Sequence, residues 1–257
     1  MPDAAETVGA VAAAQDIQKS IKRKRKINMK DPYILEDGTL KNLLGITDYE
    51  ELKKAETDIA YVKLMNAHEE VINKCDEKLL KKIHKHIFED IFEWAGEYRT
   101  IPMEKMEVVL PGASLEYAMP NEIPKKLKKH MEEINSYNWK EMNIDEISQK
   151  FTKCLAQIWR VHPFRDGNTR TTLTFADIFA KQHGFEMDMG MLLDNLERIV
   201  DDETGKIKRF SVRDKFVLAA LDEKDYPEPE HLERIIKMSI EKGINKKIDS
   251  LNQIVER

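Results

Sequence analysis

From residue 48 onward the apolar residues of this chain recur with the period of an α-helix, and that periodicity limits the folds open to it more than any other feature. In "DEKLLKKIHKHIFEDIFEW" (76–94), Leu79, Ile83, Ile87 and Ile91 follow at every fourth position, and Asp76 is placed to cap the first turn. In 144–161, Ile147, Phe151 and Leu155 do the same, and Ile158 and Trp159 extend the stripe. Similar patterns predict helices over 48–73, 122–134, 168–183, 207–223 and 230–253. Helices without intervening strands bury their apolar stripes only against one another, so the expected fold is an all-α bundle. At 257 residues with 41% hydrophobic residues the chain can fill a sizeable core, and 35% charged residues suit the solvated faces of such helices. "YPEPE" (226–230) is expected to set the last helix apart as a C-terminal extension over 226–257.

One segment breaks the pattern. "MEVVLPGASLEY" (106–117) has β-prone runs on both sides of Pro111-Gly112, a pair suited to the centre of a type II turn. It predicts a short β-hairpin, and an exposed strand edge can capture an extended partner segment through backbone hydrogen bonds.

Charge and composition exclude several function classes. The net charge of −5 argues against a nucleic-acid-binding field. Residues 1–30 carry seven Lys/Arg against three Asp/Glu, reading as a basic tail around "KSIKRKRKINMK". No run approaches about 18 continuous apolar residues, so no membrane span is expected. Cys75 and Cys154 lie in helical patterns and suggest buried, reduced thiols of a cytoplasmic-type protein.

The chemistry concentrates in "RVHPFRDGNTRTTLTF" (160–175), between two helical patterns. Pro163 disfavours helix at His162, and Gly167 admits a left-handed backbone. Asn168 or Asp166 can cap the next helix, whose pattern runs through Leu173, Phe175, Ile178 and Phe179. Free amides at that helix start form an anion cradle. Arg170 offers a planar fork of donors for phosphate, Asn168 a neutral donor, Asp166 an oxygen ligand of the kind Mg²⁺ accepts, and His162 a base near neutral pH. Each residue alone would be an ordinary cap or turn. Together they point to transfer of a phosphate-containing group. The loop is neither GxxxxGK[ST] nor GxGxxG.

"HPFRDGNTR" (162–170) resembles the signature of the Fic family, His-Pro-Phe-x-(Asp/Glu)-Gly-Asn-x-Arg. "GTLKNLLGITDYEELKKAE" (38–56), "IFEWAGEYRTI" (91–101) and the hairpin segment resemble the family's preceding helices and flap. The resemblance covers roughly residues 30–225 and implies a Fic domain over 31–225, all-α with a β-hairpin flap over the active site. It implies transfer of AMP from Mg-ATP to a Ser, Thr or Tyr hydroxyl of a protein target. By position, His162 would be the general base, Asp166 the Mg²⁺ ligand, and Phe164 the anchor of the loop in the core. Arg165, Gly167, Asn168, Thr169 and Arg170 would surround the phosphates. Met106, Glu107, Val108, Val109 and Leu110 would line the target-binding flap.

Two departures from the family pattern bear on function. Its fuller motif ends Gly-Asn-Gly-Arg-x-x-Arg, and this chain has Thr169 and Leu173 where the second glycine and second arginine belong. That arginine typically helps hold the γ-phosphate, so another nucleotide, a phosphoryl group or phosphocholine stays open as the transferred group, as does a nucleotide-binding module of low turnover. The family's inhibitory pattern, (Ser/Thr)-x-x-x-Glu-(Gly/Asn), is not met: Leu52 follows the Thr47–Glu51 pair and Lys105 follows Thr100–Glu104. Restraint is expected from a separate antitoxin-like protein, or to be slight.

Other residues read as structural. His84 and His86, two apart, are expected on a helix surface facing different ways. "MDMGM" (187–191) reads as a packing element, "DDETG" (201–205) as a solvated turn, and Trp94, Trp139 and Trp159 as core or rim aromatics.

Overall fold

The computed structural model describes residues 31–70, 74–105, 107–110, 115–201, 204–222 and 225–255. They fall into two units divided between Lys41 and Asn42. In the first, an isolated bridge joins Ile34 to Leu40 around a turn at Gly38. The basic tail predicted over 1–30 lies outside the described residues.

The second unit is helical, as the periodicity requires. Its α-helices are α1 (Tyr49–Glu70), α2 (Glu77–Phe88), α3 (Ile123–Asn135), α4 (Ile144–Val161), α5 (Asn168–His183), α6 (Met189–Leu193), α7 (Val212–Ala219) and α8 (Glu230–Val255). At the centre stands α4, packed against α3, α5, α7 and α8, while α2 packs between α1 and α5. A reciprocal capping box starts α4: Asn143 Oδ1 accepts the Glu146 N–H and Glu146 Oε2 accepts the Asn143 N–H, each at 3.0 Å. Its inward stripe, Ile147, Phe151, Cys154, Leu155, Ile158 and Trp159, is buried. Every residue of α5 from Thr171 to Ala180 is buried too, so this helix runs through the core rather than along its surface. Burial of a single Phe or Leu stabilises by about 1.5–3 kcal/mol, and the Trp139, Phe151 and Phe179 rings add edge and stacked contacts at 5.6–5.7 Å.

The structure corrects several expectations. The helix predicted over 76–94 ends at Phe88. Ile91 and Phe92 are buried from the turn beyond it, so the apolar period outlasts the helix. His84 and His86 are buried rather than on the surface. His84 stacks on Phe164 at 3.9 Å and contacts Phe88 and Trp94. The helix predicted over 207–223 is divided. Residues Ile207–Arg209 form a strand (β2) antiparallel to Ile199–Val200 (β1), and α7 begins only after Ser211, whose capping box with Asp214 opens a new helix. The hairpin predicted at 106–117 is not a strand pair in its described residues. Leu110 donates to the Glu107 carbonyl in a turn, 115–117 has no regular secondary structure, and Met106 and the tip at 111–114 lie outside the described residues. The last helix, α8, packs on α4, α6 and α7. Among the described residues no helix is long and apolar enough to cross a membrane.

Candidate active site

The loop between α4 and α5 is bolted in place from outside. His162 ends α4 as its C-cap in the left-handed region (φ 50°, ψ 59°), a conformation that Pro163 does not by itself favour. A non-glycine residue there costs about 1–2 kcal/mol, so the conformation must be held. The His162 N–H donates to Trp159 O at 2.9 Å, and Arg99 Nε donates to His162 O at 2.8 Å. The buried Arg99 guanidinium also donates to the carbonyls of Ile101 and Ala118, tying the loop to both flanks of the 106–117 segment.

The next two turns of chain are held from within. Asn168 is buried, with Oδ1 accepting the Phe164 N–H and Nδ2 donating to the Phe164 carbonyl, both at 2.9 Å. The expected phosphate donor therefore spends its side chain on shaping the loop. Gly167 has φ +74°, and a Cβ there would come within 2.3 Å of the Phe88 ring. It, not Asn168 or Asp166, occupies the N-cap position of α5. Asp166 Oδ1 accepts the Gly167 N–H at 2.7 Å. Thr171 closes the first helical bond to Gly167 O, leaving the amides of Asn168, Thr169 and Arg170 without a partner among the described residues. The Thr169 hydroxyl accepts from Trp159 Nε1 at 3.0 Å.

His84 is a support that the sequence reading missed. Its Nδ1 accepts the Gly96 N–H at 2.8 Å, so Nε2 carries the proton and donates to the Asp166 carbonyl at 3.1 Å. Burial pushes this imidazole down to about 3, so it stays neutral. The isolated residue's spacing carried no such signal, because Gly96 and Asp166 reach it only through the fold.

The imidazole of His162 is enclosed. It is 2% exposed, and neither ring nitrogen has a hydrogen-bond partner among the described residues. The ring stacks on Tyr117 at 4.0 Å and meets Trp159 edge-on at 5.3 Å. Burial, then the charges of Lys105, Arg213 and Arg99, holds it well below the usual histidine range. It is thus a neutral base. This low exposure and depressed pKa depart from the base near neutral pH that the sequence suggests.

Cations gather around the loop carboxylate. Burial opposes ionisation of Asp166, but Lys105, Arg170, the Gly167 amide and Arg165 together hold its carboxyl below the usual range. Lys105 is lowered by burial and by Arg213 and Arg165, with Asp166 and Glu107 opposing. Arg170 ion-pairs with Glu56 of α1 and lies 4.7 Å from the centre of the Phe88 ring. Burial raises Glu56 although Arg170 opposes it. Leu173, at the position of the missing arginine, is fully buried. Of the flap residues, Val108 is exposed, Val109 and Leu110 are half-buried, and the Glu107 carboxylate is turned inward onto Arg213 and Tyr117.

Residues 74–180 match the model of the Fic/DOC family. Over 160 residues the chain is 29% identical to the protein adenylyltransferase VbhT of Bartonella schoenbuchensis, covering 62% of this chain and 32% of that protein. It is 30% identical over 116 residues to the probable protein adenylyltransferase y4lH of Sinorhizobium fredii, covering 44% and 56%. In structure it resembles BepC of Bartonella tribocorum, a VirB-translocated effector solved with bound AMPPNP, with a TM-score of 0.62 and 21% identity over 82% of this chain and 97% of that one. The match thus spans less than two thirds of either curated relative.

Proposed function

From the match of residues 74–180 to the Fic/DOC family model, we propose that the chain is a member of that family that transfers AMP from ATP to a hydroxyl of a protein target and releases pyrophosphate. The relatives' name, protein adenylyltransferase, and the ATP analogue bound to BepC support this reading. The observation that carries it is the His162 imidazole, a buried base whose two nitrogens have no partner among the described residues, kept neutral by burial and surrounding cations. A buried polar group without a partner is costly, and a reacting proton is what such a base lacks.

In this reading the triphosphate lies against the open amides at the start of α5, with Arg165, Arg170 and Lys105 as the positive charges around it. His162 takes the proton of the target hydroxyl. The hydroxyl oxygen bonds to the α-phosphorus, the bond from that phosphorus to the bridging oxygen breaks, and pyrophosphate carries away the electron pair. Catalysis rests on placement and charge stabilisation. The donor set fits one Mg²⁺ held mainly by phosphates: Asp166 stays ionised and engages only one oxygen in the loop. Mg²⁺ would supply charge neutralisation on the phosphates, with Asp166 as its protein ligand. The exposed Val108, with Val109, Leu110 and Met106, would meet the target segment, while Glu107 anchors their turn. A separate antitoxin-like protein would provide restraint.

Label from ATP tests the reading. In a lysate with Mg²⁺, label on the α-phosphate should pass to protein and label on the γ-phosphate should not. His162→Ala should abolish labelling with nucleotide affinity kept within about threefold; labelling at the parental rate would remove His162 as base. The buried Leu173 favours a second reading, in which a group other than AMP is moved, because no arginine stands there for the γ-phosphate. Label passing from γ alone would establish phosphoryl transfer instead.

A further inference from the structure

Among the described residues the ring of His162 has no hydrogen-bond partner, so its orientation there depends on packing. An imidazole turns about one soft, roughly two-fold torsion, and a misdirected lone pair cannot accept a proton in line. Two aromatic rings hold it: Tyr117 lies across its face, tilted by 22°, and Trp159 stands at 85° to it. Both of these rings are themselves gripped by α7. Arg213 in its first turn makes two 2.6 Å hydrogen bonds to the Glu107 carboxylate, one to each oxygen. Glu107 Oε1 also accepts the Tyr117 hydroxyl at 2.8 Å, fixing how far that ring can slide or tilt over His162. On the other side Phe216 of α7 stacks on Trp159 at 5.4 Å and 17°. The helix is itself anchored, because Asp214 closes the Ser211 cap and pairs with Arg198.

This arrangement is expensive unless it does something. The Glu107 side chain is completely buried, and a buried ion pair seldom stabilises more than an apolar pair of the same volume. Arg213 and Phe216 also lie beyond the segment matched by the family model, so the Fic/DOC segment by itself does not supply the brace.

We propose that Tyr117, tethered through Glu107 to Arg213, is a positioning residue that sets the plane of the His162 ring, and that α7 braces the base from both sides. The inference rests on His162 acting as base. It places in α7 a determinant of turnover that touches neither nucleotide nor target.

The test uses the full chain with α-labelled ATP in a fixed lysate, and ¹³C,¹⁵N-histidine NMR of the same proteins. Tyr117→Phe keeps the ring and removes the tether. Its maximal labelling rate should fall about tenfold while the ATP concentration for half-maximal rate stays within about twofold. The His162 ring protons, shifted upfield by the stacked ring, should move toward ordinary histidine positions. Arg213→Met should give a larger loss of rate, and Arg213→Lys should recover part of it. Arg213→Met strands a buried carboxylate and can unfold the chain, so the double variant Glu107→Gln with Arg213→Met, which removes both charges, is measured beside it. If folded Tyr117→Phe and double-variant proteins keep both the parental rate and the parental His162 resonances, the brace is overturned. The resonances report on the ring without any turnover, so they separate this outcome from failure of the base assignment, which His162→Ala decides.

Discussion

At the scale of single residues the loop works by occupying positions that ordinary side chains resist. Gly167 combines a positive φ with a Phe88 carbon where its Cβ would go. Gly167→Ala should therefore destabilise the protein by about 2–4 kcal/mol, from left-handed strain plus overpacking against an aromatic ring. Denaturant unfolding measures this, and a loss under about 1 kcal/mol would show that Phe88 yields freely. Asn168 teaches a related lesson. Its type and position suggest a ligand donor, but the chain needs that amide to bridge both backbone groups of Phe164. A residue's chemistry was legible here, while the partner that uses it was not.

At the scale of elements the informative contacts join helices far apart in the chain. Arg170 on α5 meets Glu56 on α1, 114 residues away. A carboxylate on the guanidinium competes with phosphate for the same donors, so Glu56→Gln should tighten nucleotide binding several-fold. Calorimetric titration with ATP measures it, and weaker binding would mean that Glu56 holds Arg170 in its working position instead. The periodicity identified both helices, and neither helix pattern indicated that they would exchange a charge. The same holds for α7. Its sequence reads as part of a longer helix, but the reciprocal Ser211–Asp214 box and the β1–β2 pairing split that stretch, because satisfied local caps outweigh a continuous apolar period.

At the scale of the whole molecule, buried neutral imidazoles link folding to pH. His84 is pushed down to about 3, and His162 well below its usual range. Unfolded, both would bind protons near pH 6.5. Below that pH the unfolded chain takes up protons that the native state refuses, so stability falls as pH falls, by about 1.4 kcal/mol per unit for each group. Unfolding midpoints between pH 7 and 5 should show this slope, and His84→Gln should reduce it by about one group's share, since burial lowers His130 as well. An unchanged slope in that variant would mean that His84 protonates without opening the fold.

By itself the sequence determined the helical class, the span of α4, the cap at Asp76 that starts α2, and the loop that gathers His162, Asp166, Gly167 and Arg170. These are local matters: period, capping and backbone preference act within a few residues. Only the tertiary structure decided what the loop's groups face. It enclosed the imidazole under Tyr117, turned Glu107 inward to Arg213, buried His84 beneath Asp166 and tied Arg170 to α1. Each of those outcomes depends on charges and rings brought together from distant segments, where desolvation and packing set which partner a side chain takes.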